Sequence, residues 1–336
     1  MQQLKAFVTG GSGFIGSEVI RQLNARGIQV RALLRTTSST RNLEGCQYDK
    51  VLGDLNDIEA LKKGVEGVDY VFHIAGVISA KSREEYMEGN ATGSANIARA
   101  VVEVTPSMKR FVLVSSVAAS GPSESMTPRT ETDLEKPISL YGESKLAGER
   151  EVFKVADGKF PVTCIRPPAV YGPRDRGIFE FFKFVNAGIA PIFPSNNSTG
   201  EKHYSLIHVE DLVNAIVAGG LVEDQGRREV FYVCGDGIHS WRTIMAEIAK
   251  GLGKNPWKIR LPGFMLTALA GFYTLLGHMT GKEFPLTLDK LNELRPDFWI
   301  CSNQMAKKKL GFKPQYDLHR GITSTAKWYR EAKWLK

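Results

Sequence analysis

Cysteine is scarce in this sequence and is widely scattered. The 336 residues include four cysteines, at Cys46, Cys164, Cys234 and Cys301. A disulfide scaffold or a structural zinc site needs cysteines at close, regular spacing, and no C-x-x-C pair occurs here. We therefore expect a reducing compartment, no disulfide framework and no metal site.

The sequence also lacks an apolar signal at its start. "MQQLKAFVTGGSGFIG" passes directly into a strand and a glycine turn, so we expect no secretory signal. A later stretch, residues 261–281, contains no Asp, Glu, Lys or Arg. Within 261–279, bulky apolar residues recur at helical spacing, with small or polar residues on the other side. This pattern predicts an amphipathic helix that covers a core or pocket. A helix in a membrane interface and a spanning helix stay open as alternatives.

Basic residues are in excess, but the excess lies at the C-terminal end. The formal net charge is +8. Residues 302–336 hold nine Lys/Arg and two Asp/Glu, which leaves 35 basic and 34 acidic residues before them. A nearly neutral body argues against a nucleic-acid partner. We expect a solvated basic tail, with peripheral membrane contact through this tail and 261–279 as the alternative.

A glycine-rich turn joins the first predicted strand, "KAFVTG", to the first predicted helix, "SGFIGSEVIRQLNARG". Gly11, Gly13 and Gly16 satisfy G-x-G-x-x-G, and Gly10 begins the form G-x-x-G-x-x-G. Glycines let the backbone approach a pyrophosphate at the start of the helix. The turn therefore predicts a dinucleotide site. Its predicted cofactor-binding residues are Thr9, Gly10, Gly13, Phe14, Ile15 and Gly16.

No carboxylate follows the second predicted strand, "IQVRALLR", until Glu44. NAD sites place an Asp or Glu at the end of this strand for the ribose 2′-hydroxyl, whereas an arginine suits a 2′-phosphate. Arg35 stands at that position. The sequence therefore favours NADP(H), and NAD(H) stays open because an arginine at a strand end is often only solvated.

Strand and helix patterns continue to alternate along the chain. "VLGDLND" places Asp54 and Leu55 after a third strand, within reach of an adenine, and "VDYVFHIAG" ends in Ala75 and Gly76. Further strands are predicted at "RFVLVSS", "FPVTCIRP" and "REVFYVCG". Alternation of this kind predicts an α/β fold with a doubly wound parallel sheet, a Rossmann domain.

The predicted domains are interleaved. The dinucleotide-binding domain takes 1–167 and about 209–237, because "REVFYVCG" is expected to return to the main sheet. A smaller substrate-binding cap takes about 168–208 and 238–315. Residues 316–336 are predicted as a basic C-terminal helix or tail.

Three residues at the carboxyl edge of the predicted sheet could act on a carbonyl. Ser116 ends the fifth strand, Tyr141 follows 25 residues later, and Lys145 lies one helical turn further on, in "SLYGESKLAGE". A serine can hold the carbonyl oxygen while a phenol transfers the proton. A lysine one turn away would lower the phenol pKa. This stretch alone would predict only packing and solvation.

The motifs resemble a known family when they are taken together. "TGGSGFIG", "GDLND", "VSS", "YGESK", "IRPPAVYGPRD" and "YSLIHVEDLVNAI" are similar in order and spacing to the extended short-chain dehydrogenase/reductase family, within the NAD-dependent epimerase/dehydratase superfamily. The branch it resembles most contains 3β-hydroxysteroid dehydrogenases, dihydroflavonol reductases and long-chain ketone reductases. Arg35, the late apolar helix and "FPLTLDKLNELRPDFWICSNQMAKKKLGFKP" carry that likeness.

The resemblance implies a set of roles. Ser116 would bind the carbonyl, Tyr141 would be the acid/base and Lys145 its helper, with Pro167 and Val170 near the nicotinamide. A homodimer is common in the family. The implied function is an NADP(H)-dependent oxidoreductase that interconverts a secondary alcohol and a ketone on a small sterol-like, flavonoid-like or long-chain 3-oxo substrate. We expect it in the cytoplasm, with peripheral membrane attachment left open.

Two other functions remain open. A sugar-nucleotide epimerase or dehydratase using bound NAD is suggested by "VYGPRD", in which Arg174 is the candidate cation for a diphosphate. A non-catalytic dinucleotide-binding regulator is the second alternative, and the tyrosine–lysine pair argues against it. His73, His203 and His208 are expected to be satisfied structural residues, and Asn90 is expected to cap a helix or bridge to a strand.

Overall fold

The computed structural model describes residues 3–195, 197–222, 228–280, 284 and 286–335. Residues 1–2, 196, 223–227, 281–283, 285 and 336, which the predicted domains include, lie outside the described residues. The strands are β1 (Lys5–Thr9), β2 (Gln29–Leu34), β3 (Asp49–Leu52), β4 (Tyr70–His73), β5 (Arg110–Val114), β6 (Val162–Arg166), β7 (Ala169–Tyr171), β8 (Ile189–Ile192), β9 (His203–Tyr204), β10 (Leu206–His208), β11 (Arg228–Tyr232), β12 (His239–Ser240), β13 (Trp257–Arg260) and β14 (Phe298–Trp299).

The helices alternate with these strands over the first half of the chain. They are α1 (Phe14–Ala25), α2 (Ile58–Val65), α3 (Arg83–Met87), α4 (Gly93–Val104), α5 (Leu140–Ala156), α6 (Phe179–Asn186), α7 (Val209–Leu221), α8 (Trp241–Leu252), α9 (Gly263–Thr280), α10 (Leu288–Leu294), α11 (Gln304–Leu310) and α12 (Leu318–Glu331). A π-helical turn, Glu88–Thr92, leads into α4.

Seven of the described strands form one parallel sheet in the order β11-β6-β5-β4-β1-β2-β3. The strand order reverses between β1 and β4, and open α/β sheets bind their ligands beyond the carboxyl ends of the strands at such a point. The predicted doubly wound fold is confirmed, and β11 lies at the edge of the sheet beside β6.

Helices cover both faces of this sheet because its strands are apolar on both sides. Ala6 and Val8 of β1 join one core, to which α1, α7 and α11 contribute, and Phe7 joins the other core, to which α2, α4 and α5 contribute. Side chains alternate between faces along a strand, so neighbouring residues of β1 serve different cores. Each fully buried side chain of this size contributes roughly 1.5–3 kcal/mol.

A third core holds the smaller lobe together. Helices α6, α8 and α12 pack around Phe182, Ile248 and Tyr329. Two segments pack differently from the predicted division. Helix α11, predicted in the cap, packs against the main sheet through Leu310. Helix α12, predicted as a basic C-terminal helix or tail, is a helix that buries Ile322 and Tyr329 in the third core, because an apolar stripe runs along it beneath the charged residues.

Helix α9 presents the opposite face to the protein from the one expected. Its small residue Ala270 is fully buried, whereas the bulky face lies in solvent. The exposed large side chains are Phe264, Met265, Leu269, Phe272, Leu275 and Met279. The prediction of a core or pocket-covering bulky face is therefore wrong, because the helix contacts the protein through Ala270 and the hydroxyl of Thr274, which lie on its other side. Of the helices formed by described residues, none is long and apolar enough to cross a membrane.

Candidate active site

The glycine turn brings the end of β1 against the segment that follows β4. Gly10 has a φ of +71°, and a Cβ there would lie 2.7 Å from the backbone nitrogen of Ala75. A Cβ on Gly16 would overlap the carbonyl oxygen of Gly10. Gly13, which has no side chain, is the N-cap of α1. Only glycine fits at positions 10 and 16, and the N-terminal turn of α1 opens at a cradle suited to a dinucleotide pyrophosphate.

Thr9, predicted to bind the cofactor, is fully buried. Its hydroxyl lies 2.6 Å from Nδ1 of His73 and accepts a hydrogen bond from the backbone of Ala75 at 3.2 Å. The side chain of Thr9 therefore fixes the turn against β4. Phe14 and Ile15 occupy the first turn of α1 and pack, partly buried, against the core.

A buried chain of hydrogen bonds continues from the glycine turn to the helix of Tyr141. His73 Nε2 lies 2.9 Å from the hydroxyl of Ser94, which donates to the carbonyl oxygen of Asn90 at 2.5 Å. The amide of Asn90 donates to the hydroxyl of Ser144 at 2.9 Å, and that hydroxyl donates to the carbonyl oxygen of Tyr141 at 2.8 Å. Sequence reasoning missed both serines, because each lies in an ordinary helical pattern.

Asn90 also holds the segment that contains Gly76. Its side chain exchanges two hydrogen bonds of 2.8 Å with the backbone of Val77. Asn90 therefore bridges the π-helical turn to the segment that follows β4, whereas a helix cap or a bridge to a strand was expected. Both ring nitrogens of His73 are engaged, as predicted, and burial lowers its pKa to about 3. His203 and His208 differ from the prediction, since each has one buried ring nitrogen without a hydrogen-bond partner among the described residues.

Ser116, Tyr141 and Lys145 meet at the carboxyl ends of β5 and β6. The hydroxyl of Ser116 accepts from the backbone of Ala118 at 3.1 Å, and Ser116 lies close enough to the Tyr141 phenol to lower its pKa. The neighbouring Ser115 is buried and its hydroxyl has no partner in the described part of the chain. Of the two serines, Ser116 is therefore the one placed beside Tyr141.

Helix α5 begins immediately before the tyrosine. Ser139 is its N-cap and accepts from the backbone of Gly142 at 3.0 Å, which places Tyr141 in the first turn and Lys145 one turn later on the same side. Burial raises the pKa of the Tyr141 phenol and the Glu293 carboxylate raises it further, whereas Ser116 lowers it. The overall shift is therefore upward, opposite to the lowering predicted from Lys145, because burial is the dominant effect.

Lys145 is buried, and its ammonium donates to the carbonyl oxygen of Val114 at 2.8 Å. Nζ lies 3.4 Å from the position that a Cβ on Gly76 would occupy. Burial lowers the pKa of Lys145 to about 8, although Cys164 and Glu149 act in the opposite direction. The structure thus places Lys145 between the catalytic strand end and the predicted cofactor segment at Gly76.

Pro167 and Val170 lie on the other side of the serine. The carbonyl oxygen of Pro167 accepts from the backbone of Val117 at 2.9 Å, so the segment after β6 adjoins Ser116. Val170 lies in β7, which pairs with β10. The predicted nicotinamide segment therefore borders the same space as Ser116, and its exposed residue is Ala169.

An ion pair fixes the middle of α5 to β6. Arg166 donates to Glu149 twice, at 2.9 Å from Nε and 2.5 Å from Nη2, and both side chains are almost fully buried. Glu149 lies one turn beyond Lys145. A paired arrangement of this kind stabilises the carboxylate and holds the helix in one position. Sequence analysis did not identify this pair.

Helix α10 contacts the start of α5. Asp289 accepts from the backbone of Leu140 at 2.9 Å, and Glu293 accepts from the hydroxyl of Ser139 at 2.7 Å. Lys290 pairs with Glu293 and lies 5.6 Å from the centre of the Tyr141 ring. Residues about 150 positions from the tyrosine therefore set its charge environment.

The remaining predicted cofactor residues line the outer end of the sheet. Arg35 follows β2, is exposed and has no carboxylate at ion-pair distance among the described residues. Asp54 is exposed and accepts from the backbone of Asn56 at 2.8 Å. Leu55 packs, half-buried, against α4. Arg174 instead pairs with Glu18 of α1 at 2.7 Å.

A groove of about 610 Å³ lies elsewhere, on the outer side of α4 and α5. Its lining includes Arg99, Glu143 and Glu151 and none of the three catalytic candidates. We therefore do not identify it with the candidate active site at the carboxyl edge of the sheet, around Ser116 and Tyr141.

Known proteins resemble this chain over most of its length. A model of the NAD dependent epimerase/dehydratase family matches residues 6–235. The ceramide reductase of Caulobacter vibrioides is 32% identical over 329 residues, covering 98% of this chain and 95% of that protein. The human sterol-4-alpha-carboxylate 3-dehydrogenase (decarboxylating) is 26% identical over 353 residues, covering 100% of this chain and 91% of that protein.

A solved structure has the same fold. UDP-glucose 4-epimerase of Thermotoga maritima, determined with UDP-glucose, superimposes with a TM-score of 0.78 at 22% identity, and the match covers 98% of this chain and 100% of that one. At this identity the likeness describes the fold and not the reaction.

Proposed function

The chain belongs to the NAD dependent epimerase/dehydratase family and is an NAD(P)-dependent oxidoreductase; on that premise we propose that it interconverts a secondary alcohol and a ketone on a lipophilic substrate, with NADP(H) as cofactor. The single observation that carries this proposal is the meeting of Ser116, Tyr141 and Lys145 beside the glycine turn. The lipophilic substrate class is supported by relatives named for a ceramide and a sterol.

The residues present fit a dinucleotide, because the glycine turn leaves a cradle that any Cβ would fill. The bound nicotinamide would supply or accept the hydride. Gly10, Gly13 and Gly16 would hold the pyrophosphate, and Arg35 would bind a 2′-phosphate through its guanidinium. Gly76, Lys145 and Pro167 would border the nicotinamide half.

The proton moves through the phenol of Tyr141. Because burial and Glu293 raise its pKa, the phenol keeps its proton at neutral pH and can donate it to the carbonyl oxygen as a ketone is reduced. Ser116 supplies a second hydrogen bond to that oxygen, which stabilises the developing negative charge. Lys145 carries a positive charge below about pH 8 and favours the phenolate that the transfer leaves behind.

Cofactor choice is tested by calorimetric titration with NADPH and with NADH. We expect wild type to prefer NADPH and Arg35→Ala to lose most of that preference, because a charge-assisted contact of this kind is worth roughly 1.5–3 kcal/mol. Arg26→Ala is the matched control, because Arg26 is also an exposed arginine but lies just after the C-terminal end of α1, away from the glycine turn. Equal affinity for both cofactors in wild type would contradict the NADP(H) assignment.

Chemistry is tested by Tyr141→Phe with a panel of apolar ketones and NADPH. We expect kcat to fall by about 10²–10⁴ while NADPH affinity and the melting temperature stay close to wild type, and Tyr48→Phe to keep wild-type activity. Unchanged activity of Tyr141→Phe in vivo would support the regulator instead. UDP-sugars that stabilise the protein where ketones do not would support the epimerase. The pairing of Arg174 with Glu18 at 2.7 Å counts against the epimerase, because Arg174 is the cation that this alternative needs for a diphosphate.

A further inference from the structure

Helix α9 leaves a bulky apolar face uncovered. Phe264 is 75% exposed, Phe272 is 59% exposed and Met279 is 75% exposed. Met265, Leu269 and Leu275 are exposed beside them. At about 100° per residue these six side chains fall within an arc of roughly 140°, so they form one continuous face. Soluble proteins rarely expose a contiguous apolar surface of this kind unless something binds it.

Basic residues adjoin this face at the N-terminal end of the helix. Strand β13 leads into α9 through Leu261 and Pro262, and all four of its side chains are exposed. Lys258 and Arg260 alternate there with Trp257 and Ile259, and Lys254 precedes them. Lys254, Lys258 and Arg260 have no carboxylate at ion-pair distance among the described residues. No acidic residue occurs between 254 and 280.

We propose that α9 and β13 form a surface that docks on an anionic lipid membrane, with the bulky face of α9 among the acyl chains and Lys254, Lys258 and Arg260 at the headgroups. Charge complementarity selects this occupant: an apolar face with cations and an exposed tryptophan at its edge is the pattern of an interfacial helix. The basic C-terminal segment is not used, because α12 is packed and Lys307 and Lys309 already pair with Asp236 and Glu229.

The docked helix lies one element away from the chemistry. Helix α10 packs against α9, and Thr274 of α9 accepts from the backbone of Leu288 at 2.9 Å. Asp289 and Glu293 of α10 in turn contact the start of α5, two residues before Tyr141. A membrane under α9 would therefore bring the opening of the site close to an apolar substrate. This last step rests on the proposed function, whereas the docking does not.

The test is sedimentation with vesicles of phosphatidylcholine alone and of phosphatidylcholine with about 30% phosphatidylglycerol. We expect wild type to bind the anionic vesicles and to be released by 0.5 M salt. Phe264→Ser/Phe272→Ser should weaken binding at least tenfold, because two aromatic side chains that enter the acyl chains on docking are lost. Lys258→Gln/Arg260→Gln should weaken binding to anionic vesicles roughly tenfold or more.

Met126→Ser/Leu134→Ser, which also replaces two exposed apolar side chains, is the matched control and should bind as wild type does. Wild type that binds neither vesicle, or a Phe264→Ser/Phe272→Ser variant that still binds fully, would overturn the proposal. So would wild-type dimers that this variant converts to monomers without lipid. If Phe264→Ser/Phe272→Ser loses turnover of a water-soluble ketone but still binds vesicles, the bulky face of α9 belongs to the substrate pocket instead. Tyr141→Phe should bind vesicles normally, so failure of the proposed chemistry is distinguishable from failure of docking.

Discussion

Lys145 lowers the stability of the fold and, in the proposed mechanism, serves the chemistry of the site. Its ammonium is buried beneath α5 and has a carbonyl oxygen as a partner, and burial lowers its pKa to about 8. A charge removed from water costs free energy unless it is fully paired. In the proposed mechanism, this costly cation is the group that would stabilise the phenolate of Tyr141.

Replacement of Lys145 by Met should reveal this cost through pH. The unfolded lysine binds its proton up to about pH 10.4, whereas the folded one releases it near pH 8. Between these values the unfolded state holds more protons, so this residue makes wild type more stable as pH rises. We expect the free energy of unfolding of wild type, relative to Lys145→Met, to be lowest below about pH 8 and to rise towards pH 10. Urea titrations at several pH values measure it, and a difference independent of pH would contradict it.

The residues found from the sequence are those whose role depends on local spacing. A strand before them and a helix after them are enough to identify Gly10, Gly13 and Gly16 from the sequence. A spacing of one helical turn is enough to pair Tyr141 with Lys145. Glu293 could not be found, because it acts on Tyr141 across 152 positions and only the packing of α10 on α5 brings it there. Ser144 and Ser94 carried no signal, since serine is common in helices.

At the scale of elements, α5 is held at two points by different partners. Helix α10 binds its first turn through Asp289 and Glu293, and β6 binds its middle through Arg166. The two contacts act on different properties. The pair of Arg166 and Glu149 fixes the position of α5 on β6. Glu293 holds the first turn of α5 and also adds a negative charge near the phenol of Tyr141.

Glu293→Gln should therefore shift the pH dependence of the reaction. Removal of the carboxylate removes a charge that raises the pKa of Tyr141, so the basic limb of ketone reduction should move to lower pH. The pH profile of kcat/KM with NADPH measures the shift. Asp289→Asn, which loosens the same helix without a charge that acts on the phenol, is the control and should lower stability without moving the limb. A profile identical to wild type would show that Glu293 is only structural.

At the scale of the molecule, one chain builds two lobes, the main sheet with its helices and the smaller lobe. The chain leaves the main sheet after β6, builds part of the small lobe, returns through α7 and β11, and finishes in the small lobe with α12. Two predictions based on composition were wrong here. Residues 302–336 were interpreted from their positive charge, although Leu318, Ile322 and Tyr329 form a buried apolar stripe within them. The bulky face of α9 was expected to be buried because it is apolar, but it is exposed.

Tyr329 is the residue on which the small lobe should depend most. It is fully buried, contacts Phe179 and Phe182, and donates from its hydroxyl to the carbonyl oxygen of Asp175 at 2.9 Å. Tyr329→Ala should lower the free energy of unfolding by about 3–5 kcal/mol. Trp257→Ala, which removes a side chain that is 82% exposed, should change it by less than about 0.5 kcal/mol. Urea denaturation compares the two, and equal effects would contradict the packing of α12.

Strand β11, at the edge of the sheet, is synthesised well after its neighbour β6. Strand β6 ends at Arg166 and its neighbour β11 begins at Arg228, so 62 residue steps separate the two partners along the chain. At roughly 5–20 residues per second, a nascent chain carries the open side of β6 for about 3–12 seconds before its partner is made. Helix α7, which covers one face of the same sheet, is also made within that interval. During this time the growing polypeptide displays an unpaired strand and an uncovered apolar surface, both of which are features that ribosome-associated chaperones bind.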